Sequence, residues 1–219
     1  MSILYVADRD TDTFQQERTA VDVVCAGDSI TGWNNYGPVG YWPYPTYPQL
    51  FQELCEPLHL KVADGGIAGE ISRNGIGHVR DYLDLFPTAR YFVIGFGTND
   101  LGMWPDLERT SEQIIKNLGQ MVTLVRNREK FPILLNVPNV NGAMFSPDIT
   151  RESRSQRDFH NARLLDYCNK HDIPLADICS HLRDAHFADE VHPNAAGADI
   201  IAREVDRVFQ VVHARIEQG

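Results

Sequence analysis

Four short stretches of the sequence carry side chains with chemistry to offer. Gly27-Asp28-Ser29-Ile30-Thr31-Gly32 follows a run of apolar and β-branched residues and places a hydroxyl at a strand-to-helix turn, where N–H groups of a helix start can face a developing oxyanion. The same turn is open to a second use, since Ser and Asp are also preferred helix caps. Asp64-Gly65-Gly66-Ile67-Ala68-Gly69-Glu70 has three glycines in five residues, which lets backbone approach a ligand or lets a helix pack close to a sheet. In Gly95-Phe96-Gly97-Thr98-Asn99-Asp100, Asn99 offers a neutral amide donor that is easier to desolvate than a cation, and Asp100 offers an acceptor. Both residue types also form Asx turns. Asp189-Glu190-Val191-His192-Pro193-Asn194 sets a carboxylate three residues before an imidazole. Such a carboxylate can accept from one ring nitrogen, fix the tautomer and leave the other nitrogen as a base, or it can make an ordinary local hydrogen bond. Asp184 and His186 widen this last stretch to four metal-ligand types, but without tight spacing, and no metal is expected.

These side chains need a frame to bring them together. Short apolar runs at Val21–Ala26, His59–Ala63, Tyr91–Phe96, Pro132–Val137 and Ile173–Ala176 read as strands buried on both faces. Longer amphipathic segments alternate with them. Glu108–Arg126 sets Ile114, Ile115, Leu118, Met121, Val122 and Val125 on one helical face, and Phe159–Cys168 and Ala195–Val212 read similarly. Ile3–Val6 has the composition of an extra edge strand, whereas residues 8–19 show no period and stay unassigned. The pattern predicts an α/β fold, a three-layer α/β/α sandwich on a five-stranded parallel sheet with flavodoxin-like order 2-1-3-4-5. Ligands of such sheets bind outside the carboxyl ends of the strands, and the first three stretches follow the first, second and third strands.

Composition narrows the partners. A chain of 219 residues with 43% hydrophobic and 23% charged residues and no linker or repeat is expected to form one domain, 1–219. A net charge of −10 disfavours nucleic acid and anionic membrane surfaces, which leaves a small molecule as the expected partner. Cys25, Cys55, Cys168 and Cys179 form no CxxC pair. With no basic leader and no long apolar run, a reducing cytoplasm is the expected location.

With the four stretches in this order, the sequence resembles the GDSL/SGNH hydrolase family from Gly27 to Asn194. The resemblance implies a serine esterase with Ser29 as nucleophile, His192 as base and Asp189 orienting His192. It also implies an oxyanion hole formed by the N–H groups of Ser29 and Gly69 and the side-chain amide of Asn99. Asp28 and Asp100 would brace their turns, and no metal or organic cofactor would be needed. The sequence departs from the family at Asp64, where Asn is usual, a change that keeps an acceptor, removes a donor and adds charge.

The substrate is read from the loops. Trp33, Tyr36, Tyr41, Trp42, Tyr44 and Tyr47, with Pro38, Pro43, Pro45 and Pro48 among and beside them, describe a stiff aromatic segment after Ser29. Such rings stack on sugars, wall an acyl pocket or pack the loop onto the domain. Trp33, Tyr36, Trp42 and Trp104 are the expected substrate-facing residues. The expectation is hydrolysis of short acyl esters, acetyl first, with carbohydrate among the candidate alcohols. A lysophospholipase or thioesterase of the same family is the nearest alternative. A non-catalytic flavodoxin-like protein binding phosphate through Ser29 and Thr31 is the other, and it would have no use for His192.

Overall fold

The computed structural model describes residues 2–33, 42–103 and 106–218. Its centre is a parallel sheet of six strands, β1 (Leu4–Tyr5), β2 (Val23–Gly27), β3 (Val62–Gly66), β4 (Tyr91–Gly95), β5 (Phe131–Leu135) and β6 (Leu175–Ala176), in the order β1-β3-β2-β4-β5-β6. The expected count of five is corrected by β1, in which Leu4 and Tyr5 pair with Ala63 and Asp64 at the edge. The remaining five strands keep the flavodoxin-like order.

Seven α-helices pack around the sheet among the described residues: α1 (Asp12–Glu17), α2 (Tyr47–Cys55), α3 (Ser72–Leu85), α4 (Thr98–Met103), α5 (Leu107–Arg126), α6 (Pro147–His171) and α7 (Ala195–Glu217). Each central strand feeds two cores because successive side chains point to opposite faces. Val24 and Ala26 of β2, Phe92 and Ile94 of β4 and Leu134 of β5 join α3, α5 and α6. Val23 and Cys25, Tyr91 and Val93, and Ile133 and Leu135 join α2 and α7. All four cysteines are buried and unbridged.

Helix ends differ from the sequence reading where polarity hid the period. α6 begins twelve positions before Phe159, at Pro147, with Ser146 Oγ accepting from the Ile149 N–H (3.4 Å). The added turns, from Asp148 to Asp158, are so polar that only the cap and the proline mark the start. Within the unassigned segment, Thr11 caps α1 and Phe14 alone anchors it in the core. α2 starts at Tyr47, inside the segment read as loop, where Gln49 Oε1 accepts from the Thr46 N–H (2.8 Å).

Candidate active site

Three adjacent strands deliver their loops to one place. Gly27 lies level with Gly66 on one side and Gly95 on the other, so the segments carrying Ser29, Gly69 and Asn99 leave the sheet together. A Cβ on Gly66 would stand 2.1 Å from the Gly32 nitrogen, which is why the serine turn can lie against β3 only if that residue is glycine.

Ser29 sits on a hydrogen-bonded turn, not at the start of a helix as expected. The N–H groups of Thr31 and Gly32 donate to Asp28 O at 3.1 and 3.0 Å, and the next described α-helix begins at Tyr47. Asp28 Oδ1 accepts from the Ile30 N–H (3.0 Å), closing an Asx turn under the serine. Burial pushes the Asp28 carboxyl up to about 7, and the charge of Asp100 adds to the rise while hydrogen bonds oppose it.

The long loop after β6 returns His192 to this turn. His192 Nε2 lies 2.8 Å from Ser29 Oγ, and His192 Nδ1 lies 2.8 Å from Asp189 Oδ2. Asp189 Oδ1 also accepts from the N–H groups of His192 (2.7 Å) and Val191 (2.9 Å). Partial burial raises the Asp189 pKa, but these hydrogen bonds and the imidazole outweigh it and hold the carboxyl below the ordinary aspartate range. Asp189 therefore stays an acceptor, which fixes a proton on Nδ1 and leaves Nε2 free to take one from the hydroxyl.

The loop is held from behind by a residue that sequence reasoning did not select. Asn141 donates from its backbone to Glu190 O (2.9 Å) and from Nδ2 to Asp189 O (3.1 Å). Its only sequence signal is the turn-forming pair Asn141-Gly142. Asp184 and His186, the other two residues of the four-ligand alternative, turn to separate partners: Asp184 accepts from the Gly142 N–H (3.0 Å) and from Arg154, and His186 Nδ1 accepts from the Arg183 N–H (3.0 Å).

The donor side of the site is braced through neighbouring residues. Asn99 Nδ2 donates to Glu70 O (2.8 Å), which leaves its second amide hydrogen free to point elsewhere. Asp100 accepts from the N–H and the hydroxyl of Ser72 at 2.9 and 2.6 Å, and Asn117 donates to the same hydroxyl (2.8 Å). The starts of α3 and α4 are thereby tied across the loop that contains Gly69. Gly69 has φ +80°, a conformation that favours glycine, and among the described residues the N–H groups of Ser29 and Gly69 have no protein acceptor. Asp64, in the position where the related motif has Asn, accepts from the Gly66 N–H (3.0 Å) and from Thr46 Oγ1 (3.4 Å).

Of the aromatic residues expected to face substrate, Trp33 and Trp42 are placed against the imidazole. Trp33 meets the His192 ring edge to face at 4.1 Å between centroids, and Trp42 meets it at 5.4 Å. Trp42 in turn contacts Trp33 and Tyr44. Tyr36, Pro38, Tyr41 and Trp104 lie outside the described residues. No helix among the described residues is long and apolar enough to cross a membrane.

The sequence pattern of the GDSL-like lipase/acylhydrolase family matches residues 25–200. Among solved structures, a GDSL-like lipase from Bacteroides thetaiotaomicron is 18% identical with a TM-score of 0.65, covering 90% of each chain. A carbohydrate acetylesterase family member from Sinorhizobium meliloti is 20% identical with a TM-score of 0.67, covering 87% of this chain and 98% of that one. A lipase/acylhydrolase from Enterococcus faecalis, also 20% identical, gives 0.65 over 85% and 94%. No curated protein matches the chain.

Proposed function

The chain belongs to the GDSL-like lipase/acylhydrolase family and is an ester hydrolase, and on that premise we propose that it cleaves short acyl esters, acetyl esters first, through an acyl-enzyme on Ser29. The observation that carries this reading is the unbroken line from Ser29 Oγ to His192 Nε2 and from Nδ1 to Asp189, each contact 2.8 Å.

In this mechanism His192 Nε2 takes the hydroxyl proton as Ser29 Oγ bonds to the ester carbonyl carbon. Asp189 stabilises the resulting imidazolium. The tetrahedral oxyanion receives the Ser29 N–H, the Gly69 N–H and the free amide hydrogen of Asn99. His192 then returns the proton to the leaving alkoxide as the C–O bond breaks. Water, deprotonated by the same imidazole, attacks the acyl-serine, and the acid departs with the proton restored to Ser29.

Two features support a small acyl group and a hydroxylated alcohol. The cavity lined by Ser29, Trp42 and His192 is small, about 10 Å³, at the limit for a single water-sized group. The Trp33 indole beside His192 has a buried Nε1 donor with no acceptor among the described residues, and the Sinorhizobium meliloti neighbour is a carbohydrate acetylesterase family member. As a single domain with a small-molecule ester as partner, the chain needs no cofactor for these steps.

The test is hydrolysis of p-nitrophenyl acetate, butyrate and octanoate, with fluorophosphonate labelling read by mass spectrometry. Turnover that falls with chain length and a label on Ser29 are expected. Faster turnover of octanoate overturns the short-chain preference, and absence of both turnover and label overturns the esterase reading.

A further inference from the structure

The turn that carries Gly69 is tied at its ends and bare at its tip. Ile67 donates its N–H to Gly27 O of β2 (3.0 Å), and Glu70 closes the turn with an N–H bond to Ile67 O (3.3 Å). A Cβ on Gly69 would find nothing within 4 Å, so side-chain packing does not hold the tip, and its place is set by what holds residues 67 and 70. Glu70 is also the residue on which Asn99 hangs, because the Glu70 carbonyl accepts from Asn99 Nδ2 at 2.8 Å. An amide with one hydrogen committed in this way has its second hydrogen aimed by the same plane. The direction of the Asn99 donor therefore follows the position of the Glu70 carbonyl.

The Glu70 side chain is anchored in its turn. It is 21% exposed, yet its Oε2 is sealed from solvent and has no hydrogen-bond partner. Enclosing a carboxylate oxygen is costly unless a donor or a charge answers it. Among the described residues the basic group within reach is His78 of α3, whose Nε2 lies 3.7 Å away, inside ion-pair distance and too far for a hydrogen bond. The His78 ring stacks on Tyr82 with 6.3 Å between centroids and 24° between planes. The Tyr82 hydroxyl donates to Gly65 O of β3 (2.7 Å), and a Cβ on Gly65 would stand 2.6 Å from the same ring, so Tyr82 is pressed directly onto the strand. A continuous line of contacts thus runs from β3 through Tyr82, His78 and Glu70 to Asn99.

Resting on the esterase reading, we propose that Glu70 is a positioning residue of the oxyanion hole: its carboxylate, held at His78, fixes the carbonyl that aims the Asn99 amide. Glu70 acts through its own main chain and not on the substrate. Without the carboxylate, the unpacked turn loses its side-chain tie to α3, and the Asn99 donor loses alignment when the oxyanion forms.

The test measures kcat and KM for p-nitrophenyl acetate in Glu70→Ala, Glu70→Gln and His78→Ala, each alone and combined with Asn99→Ala, on proteins shown by thermal melts to be folded. Glu70→Ala and His78→Ala are expected to lower kcat about tenfold with KM within about twofold of wild type. Glu70→Gln, which keeps an acceptor facing His78, is expected to return kcat to within about threefold. In the Asn99→Ala background the same changes should cost less than about twofold, because residues that act through one donor are not additive. A general loosening of the fold would lower kcat equally in both backgrounds, and that result overturns the proposal. So does a Glu70→Ala enzyme within about twofold of wild type, or a loss carried by KM. If Glu70→Ala does not fold, His78→Ala decides by the same comparison. A wild type with neither turnover nor a label on Ser29 overturns the esterase reading, and the positioning role falls with it. An active wild type with unaffected variants overturns the positioning role alone.

Discussion

Two serine–histidine pairs lie in this molecule at nearly the same separation. Ser29 Oγ is 2.8 Å from His192 Nε2, and Ser111 Oγ is 3.0 Å from His160 Nδ1. The second pair is sealed between α5 and α6, with His160 fully buried and its Nε2 without a hydrogen-bond partner among the described residues. Burial, aided by the nearby charge of Arg163, pushes the His160 imidazole down to about 4. Among the described residues no carboxylate is hydrogen-bonded to that ring to favour an imidazolium. His192, by contrast, has a side chain 13% exposed and an ionised Asp189 on its far nitrogen. The contact between hydroxyl and imidazole is therefore common to both; access and the third residue separate a base from a packed core histidine.

The sharpest way to break this comparison is to remove each hydroxyl in turn. Ser29→Ala should lower kcat/KM for p-nitrophenyl acetate by at least about 1,000-fold, while Ser111→Ala stays within about twofold, both measured on folded protein. Comparable losses in the two variants would mean that the buried pair supports the site. Next in size, Asp189→Asn should cost roughly 1,000-fold in kcat, because the ring loses the partner that fixes its tautomer and stabilises its charge. Asp189 has a depressed pKa, so its carboxylate persists as pH falls below the ordinary aspartate value, and acidification to that value should cost no activity through Asp189. Asn99→Ala should cost about 100-fold in kcat with little change in KM, the signature of a donor used in the transition state.

The last effect concerns stability and belongs to the buried pair. His160 titrates at about 4 in the folded protein, against roughly 6.5 for an ordinary histidine. As pH falls between these values the unfolded chain takes up a proton that the folded chain refuses, so stability is lost on acidification. The full difference corresponds to about 3 kcal/mol at most. Urea unfolding at pH 7 and pH 4.5 should show this slope in the wild type and a flatter one in His160→Asn, and equal slopes would remove the protonation argument.

Much of the frame was legible because two-sided burial writes continuous apolar runs, as in Val23–Gly27 and Tyr91–Gly95. β1 was harder to fix because two residues at an edge carry almost no pattern, and the start of α6 was missed because its turns are polar and lie on solvent. The residues at Ser29, Asp189 and His192 could be selected from motif order, but their convergence depends on loops that no local signal describes. Sequence also could not tell that Trp33 and Trp42 pack against the imidazole. Asn141 escaped notice because its role is to bond to main chain across 48 positions, which leaves no mark at either end.

The 163 positions that separate Ser29 from His192 also order events during synthesis. Translation at about 5–20 residues per second releases the hydroxyl on the order of ten seconds before the imidazole that deprotonates it. On the proposed mechanism, a chain that stalls before the His192 loop is made carries Ser29 with no base to activate it. Catalytic competence on that mechanism waits for the loop that carries His192.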